Sequence, residues 1–362
     1  MSELRVNAVT DETGGNTATI NSMTPTADSL QGFRNRIING GMVIDQRNAG
    51  AASTSITGYA LDRWNVQFGS TGVSASFQQV ADAPTGFVNS FKVTVTTAPG
   101  SVANSASISQ PIEGFNTSDL AWGTASAQTV TLSFWVKSSL TGSFGGALTN
   151  SAFDQTYPFP YTISAANTWE YKTVVIEGPT SGTWLTTNGT GVSVIFGLGA
   201  EAARKAAADV WANTVARQPT GSINLVETNG ATWQFTGVQL EAGSVATPFE
   251  RRPYGTELAL CQRYFVREVA ESQYNAMLLG TSNTREYYMV VNMPVPMRVS
   301  PTVTTTELDL HKPNIRFDAI SSKGVGVGGL RSFQVNYFAA TSDPGSYVAQ
   351  PRNFTYSASA EL

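Results

Sequence analysis

Cysteine and histidine are almost missing from this chain: Cys261 and His311 are single representatives in 362 residues. One cysteine excludes an internal disulfide, and the two together fall short of the several nitrogen and sulfur ligands a zinc site needs. A Ser-His-Asp arrangement would have to be built on His311, which in His311-Lys312-Pro313 reads as a surface or half-buried side chain. Charge is scarce too, at 13% of residues, which is about half the usual share. With 22 Lys and Arg against 26 Asp and Glu, no cationic excess exists to neutralise a phosphate backbone, so nucleic acid is not an expected partner. No run approaches the ~20 apolar residues of a membrane helix. Residues 1–5 carry no basic stretch leading into an apolar one, so no secretory signal and no membrane insertion are expected.

What the chain has in quantity is turn chemistry. Its 33 glycines and 16 prolines, set among many Ser, Thr and Asn, favour short strands over long helices, and the length suits two compact domains. Three zones follow. Residues 1–36 lack Trp and Tyr and cannot build a core; their alternating start and Gly14-Gly15 suit an extended arm or hairpin ordered by a partner. Residues 37–252 show strand patterns at 73–80, 87–96, 129–137, 169–176, 192–198 and 232–240, which suggest a two-sheet sandwich. In 129–137, Val130, Leu132, Phe134 and Val136 fall on one face, with Thr131, Ser133 and Trp135 on the other. The alanine-rich stretch 201–211 predicts a short helix. Residues 253–362 open with a helix capped by Thr256 and running to about Arg267, its stripe Leu258, Cys261, Phe265 and Val269. Strands are expected at 286–293, 301–308, 315–320 and 333–339, with loops at 274–285 and 341–353.

Candidate chemistry is thin. Gly324-Val325-Gly326-Val327-Gly328-Gly329 lacks the GxGxxG spacing and a βαβ context, and reads as a turn or hairpin. A glycosidase needs only two carboxylates, and Asp62, Glu113, Asp119, Asp154, Glu170, Asp209 and Glu241 are the sandwich candidates. Ion pairing and turn capping use the same residues. The seven tryptophans are more informative, because all fall between Trp64 and Trp233. Trp135, Trp169 and Trp233 lie in strand patterns and are expected to pack. Trp184 and Trp211 sit in expected loops, as do Phe153, Tyr157, Phe159 and Tyr161. A ring exposed beside Asp, Asn or Gln suits a sugar, whose C–H face packs on the aromatic while hydroxyls take the polar groups.

The segments 35–42 and 59–64, followed by 110–114, 132–137 and 167–171, resemble a module common in tail-fibre proteins of tailed bacteriophages. The likeness continues through 235–243, 246–254 and 261–265 and covers about residues 35–267. The module is similar in turn to jelly-roll carbohydrate-binding modules. Their acidic calcium ligand on the last core strand has no counterpart here, where Thr236-Gly237 precedes Val238, so no metal is expected. The resemblance is weakest at 144–161 and 199–222, and loops that vary on a fixed scaffold are where specificity usually resides.

The expectation is therefore an all-β chain: an N-terminal arm (1–36), a jelly-roll sandwich (37–252), and a short helix with a small C-terminal β domain (253–362). The resemblance implies a homotrimer in the virion tail, made in the host cytoplasm, attached by the arm to a tail adaptor or baseplate protein, and binding host surface polysaccharide without cleaving it. Asp154, Tyr157, Tyr161, Trp184 and Trp211 are the expected sugar contacts, and no cofactor is expected. The alternatives are a structural virion component (connector, head fibre or decoration protein) without a ligand, and a depolymerising tailspike. The latter are typically larger parallel β-helices, and no repeat period is visible here.

Overall fold

The computed structural model describes residues 33–69, 72–269, 277–279, 285–305, 309–312, 315–316, 320–327, 332–339, 350–352 and 355–362. The expected arm lies outside these except for 33–36. The chain divides into two compact units, the first spanning 1–42, 54–58 and 66–251, the second 43–53, 59–65 and 252–362.

Among the described residues, thirteen strands precede the helix: β1 (Thr57–Leu61), β2 (Trp64–Phe68), β3 (Ser74–Val80), β4 (Ser90–Thr97), β5 (Ser105–Glu113), β6 (Val130–Ser138), β7 (Gly142–Thr149), β8 (Thr156–Ile163), β9 (Glu170–Ile176), β10 (Thr190–Ala200), β11 (Lys205–Ala206), β12 (Gln218–Pro219) and β13 (Thr232–Ala242). Eleven of them form a jelly-roll sandwich, with sheet orders β1-β2-β5-β10-β7-β8 and β3-β4-β13-β6-β9, and β11 and β12 pair apart from it. Three consecutive pairs, β1–β2, β3–β4 and β7–β8, stay within one sheet, and the chain otherwise crosses from sheet to sheet between successive strands of the sandwich. Alternation decides the inner face: Val130, Leu132, Phe134 and Val136 have no exposed surface. Phe134 meets Tyr161 and Phe196 edge-on across the gap at 5.1 and 5.0 Å, and Phe196 meets Phe235 at 5.1 Å. Each such pair adds about 0.5–1.5 kcal/mol to the stabilisation from burial alone.

Two expectations fail inside this unit. Residues 201–211 are not a helix: one 3-10 turn at Ala202–Arg204 gives way to β11, which pairs in parallel with β12. A run this short has good propensity but cannot offset the cost of helix nucleation without an apolar face to dock. Of the aromatics expected in a loop, Phe153 lies in one, but Tyr157, Phe159 and Tyr161 lie in β8, which forms an antiparallel hairpin with β7. Pro158 and Pro160 hid it, yet β8 is an edge strand, where a missing N–H disrupts no ladder.

In the second unit, α1 (Tyr254–Gln262) starts after Pro253, so Thr256 lies in its first turn and donates its backbone N–H to the Pro253 carbonyl at 3.0 Å instead of capping. The helix stops short of Arg267 because Phe265–Val269 pairs as a strand with Thr355–Ser359, which also pairs with Thr302–Thr305. A four-stranded antiparallel sheet joins Met277–Leu279, Arg285–Asn292, Ser332–Ala339 and Ile320–Val327. Its first strand falls in an expected loop, and its last holds Gly324 and Gly326, expected in a turn. Cys261 is 1% exposed, and burial pushes its thiol far above the ordinary range, so it is an inert core residue. Among the described residues no helix is long and apolar enough to cross a membrane.

Asp62 gives this unit a pH signature. The backbone N–H and Nε2 of Gln46 donate to its carboxylate at 2.8 and 2.6 Å, yet burial dominates and pushes its pKa up to about 6. The folded state therefore holds a proton that the unfolded chain releases near pH 4. Stability present below pH 4 falls as pH rises toward 6, by about 3 kcal/mol in all. Urea midpoints taken from pH 4 to 7 should show this component in the native chain and lose it in Asp62→Asn; parallel curves for the two would refute it.

Candidate functional site

Strand registers bring three loops to one end of the sandwich. Thr149 pairs with Thr156, Val130 with Ile176, and Thr190 with Glu113, so the β7–β8 loop (150–155), the segment before β6 (114–129) and the β9–β10 loop (177–189) share a rim. Asn150 organises the first. Its side-chain oxygen accepts from the backbone N–H of Asp154 and Gln155 at 3.2 and 3.3 Å, while its Nδ2 donates to an Asp154 carboxylate oxygen at 2.7 Å and the Thr183 carbonyl at 3.2 Å. This Asx-type turn holds Phe153 at a φ of +58°, uncommon for a bulky residue.

Three indoles meet at the rim. Trp122 lies edge-to-face with Trp184 at 4.9 Å and Trp211 at 5.5 Å, and Trp184 and Trp211 meet at 5.4 Å. Each N–H donates to a backbone carbonyl: Trp122 to Gln128, Trp184 to Ser181 and Trp211 to Glu177, at 2.8, 3.1 and 2.7 Å. Glycine permits the approach. Gly182, at a φ of +90°, would place a Cβ 2.7 Å from Gln155 Cγ, and Gly123, at +85°, would place one 2.7 Å from the Gly182 carbonyl oxygen.

The expected contacts separate accordingly. Trp184 and Trp211 are half-buried in this cluster, with one part of each indole in the protein and the remainder facing solvent. Tyr157 is a correction: it is 7% exposed, faces inward from β8 and packs against Trp211 at 5.3 Å, and burial, then Asp209 and Glu177, pushes its phenol above the usual range, so it stays neutral. Asp154 is exposed beside Asn150. Tyr161 is a correction as well: it alternates with Tyr157, Phe159 and Ile163 into the core and stacks near Phe144 at 5.9 Å, out of reach of any ligand. Sequence reasoning missed Trp122 as the hub and Asn150, Gln155 and Asn213 as polar neighbours, Gln155 Nε2 donating to Asn213 Oδ1. It also assigned Trp135 to packing. Trp135 in fact lies outside the core, 5.4 Å from Tyr171, which is 44% exposed; the alternation that set Trp135 opposite Phe134 already carried that signal.

Three of the other carboxylate candidates are held by partners within the sandwich unit. Asp119 pairs with Arg36, Glu170 with Lys172 at 2.6 Å, and Glu241 accepts from Gln239 Nε2 at 2.8 Å and Thr247 Oγ1 at 2.6 Å. His311 sits in the strand Asp309–Lys312, in register with Arg316.

No protein-family profile and no curated protein matches the chain. Among solved structures it is similar to the enzymatically active domain of tailspike protein 4 of bacteriophage CBA120, at 14% identity and a TM-score of 0.32, over 59% of this chain and 22% of that one. It is similar to a family 4 carbohydrate-binding module at 16% identity and a TM-score of 0.29, over 57% and 98%. A third is the family 11 carbohydrate-binding module of the cellulosomal cellulase Lic26A-Cel5E of Clostridium thermocellum, at 14% and 0.24, over 54% and 97%. The chain thus spans about a fifth of the tailspike's length, and at such scores the likenesses carry no argument about function.

Proposed function

We propose that this chain is a receptor-binding subunit of a bacteriophage tail fibre that attaches the virion to host surface glycan by binding without cleavage. The observation that carries the proposal is the rim: two half-buried indoles, Trp184 and Trp211, fixed around Trp122 and set beside the Asp154 carboxylate and the Gln155–Asn213 amides. Apolar ring surface next to fixed acceptors and donors is what a sugar's two-sided chemistry needs. The sequence resemblance to tail-fibre modules supplies the virion and the homotrimer, with residues 1–36 as the attachment to an adaptor or baseplate protein. Three copies raise avidity without any new contact, which offsets the weakness of a single sugar site.

The purified full chain should adsorb to host cells and lose that adsorption when periodate has cleaved the vicinal diols of their surface glycans. Adsorption that survives periodate would overturn the glycan. A second reading, a structural virion component, draws on the same cluster, because all three indole N–H groups are taken by backbone carbonyls, as a loop core requires. Assembly onto virions without any affinity for host cells would favour it.

A further inference from the structure

Beyond Trp211 the chain is laid along the β7–β8 loop. Ala212 and Thr156 exchange backbone hydrogen bonds at 2.9 Å, Thr156 Oγ1 donates to the Thr214 carbonyl at 3.0 Å, and Gln155 reaches Asn213. This course ends with the Arg217 guanidinium over the Phe153 ring, 4.6 Å from its centroid. Arg217 is 8% exposed, and its Nη1 is sealed from solvent without a hydrogen-bond partner. Among the described residues no carboxylate pairs with it. Its charged neighbour is another cation, Arg204, whose carbonyl accepts the Arg217 backbone N–H at 2.8 Å. Burial first, and Arg204 second, push Arg217 down to about 10, so it remains a cation at neutral pH.

Folded proteins seldom bury an unpaired charge, because desolvation is repaid only by a counter-charge or a full set of hydrogen bonds. Acids outnumber bases in this chain, so the lack of a carboxylate beside Arg217 among the described residues does not come from a shortage of acids. We infer that Arg217, backed by Phe153 with Arg204 beside it, is a subsite for the acidic group of an anionic sugar, a uronic-acid carboxylate or a phosphate substituent of the glycan. The inference rests on the glycan-binding reading and narrows it to acidic polysaccharides. Because Nη1 is sealed, the edge left for two oxyanion oxygens is that of Nε and Nη2, and the Phe153 face fixes its plane. The Asp154 carboxylate in the same loop then excludes a second acid next to the first, which sets a spacing between acidic and neutral residues of the ligand.

The test uses the full chain with trigalacturonate, the same trimer after carboxyl reduction, inorganic phosphate, and chloride at matched ionic strength. Affinity and thermal midpoint are read for the native protein, Arg217→Gln, Arg217→Lys and Trp184→Ala. The expected result is a native response to trigalacturonate or phosphate above that to chloride, weakened about ten- to a hundredfold in Arg217→Gln and partly kept in Arg217→Lys. The stronger of the two oxyanions names the acid. Arg217→Gln alone should melt no lower than the native chain, since it removes a buried unpaired charge. An oxyanion response equal to that of chloride, or one unchanged in Arg217→Gln, overturns the subsite. If the reduced trimer still binds and Trp184→Ala abolishes that binding, the glycan reading survives the loss. Phosphate bound through Arg217 with neither trimer bound would instead keep the anion site and remove the glycan.

Discussion

Trp184→Ala and Trp211→Ala should each weaken adsorption to host cells by about ten- to a hundredfold, the range of a buried aromatic anchor. The geometry separates that loss from unfolding. Each of these indoles makes edge-to-face contacts at 4.9–5.5 Å, and both are only half-buried, so their removal costs roughly 1–3 kcal/mol of stability. Trp122 is the contrast, at 7% exposure with both other rings against it; Trp122→Ala should lose about 3–5 kcal/mol and collapse the rim together with binding. Thermal midpoints and the bound fraction, measured on the same samples, check both halves. Loss of binding in exact proportion to loss of folded protein would make Trp184 and Trp211 a loop core and nothing more.

Glu361→Gln should destabilise the second unit by about 3–5 kcal/mol, the usual result of removing one partner from a buried ion pair. Glu361 serves two cations: Arg47 at 2.6 Å and Arg63, whose side chain is 1% exposed. Arg63 also lies over the Tyr264 ring at 3.6 Å, and Arg47 over Phe265 at 3.7 Å. Burial works against the Arg63 charge, and the Glu361 carboxylate outweighs it, so the guanidinium stays charged. Without Glu361 two desolvated cations repel each other. Combined with Arg63→Met, Glu361→Gln should cost less than the sum of the single changes in urea denaturation, because the pair is coupled. Additive losses, or a loss under 1 kcal/mol, would mean that the pair is solvated and weak.

The sandwich was legible wherever one face alternates with the other, as in 129–137, because period-two burial is a local property. Its failures are physical. In β8 the same alternation places Tyr157, Phe159 and Tyr161 inward, but the intervening prolines masked it, and their tolerance depends on β8 being an edge strand, which only the folded sheet decides. The alanine run at 201–211 followed propensity until packing overrode it. Trp184 and Trp211 were legible as loop aromatics, whereas Trp122 as their hub was not, since its partners are 62 and 89 positions away. Arg217 carries no motif at all; what distinguishes it is burial without a partner, a property of three dimensions. The second unit likewise takes in 43–53 and 59–65, which no reading in chain order would detach from the sandwich. A truncation near Arg267 would therefore cut through that unit and would not isolate the rim.

If the proposed rim site reads the glycan, the seven indole N–H resonances report on it. With host surface polysaccharide added to the labelled full chain, the signals of Trp184 and Trp211 should shift or broaden, while those of Trp64 and Trp233, which are fully buried, stay in place. A response confined to Trp135 and Trp169, or no response from any indole while polysaccharide is demonstrably bound, would overturn the rim as the binding site.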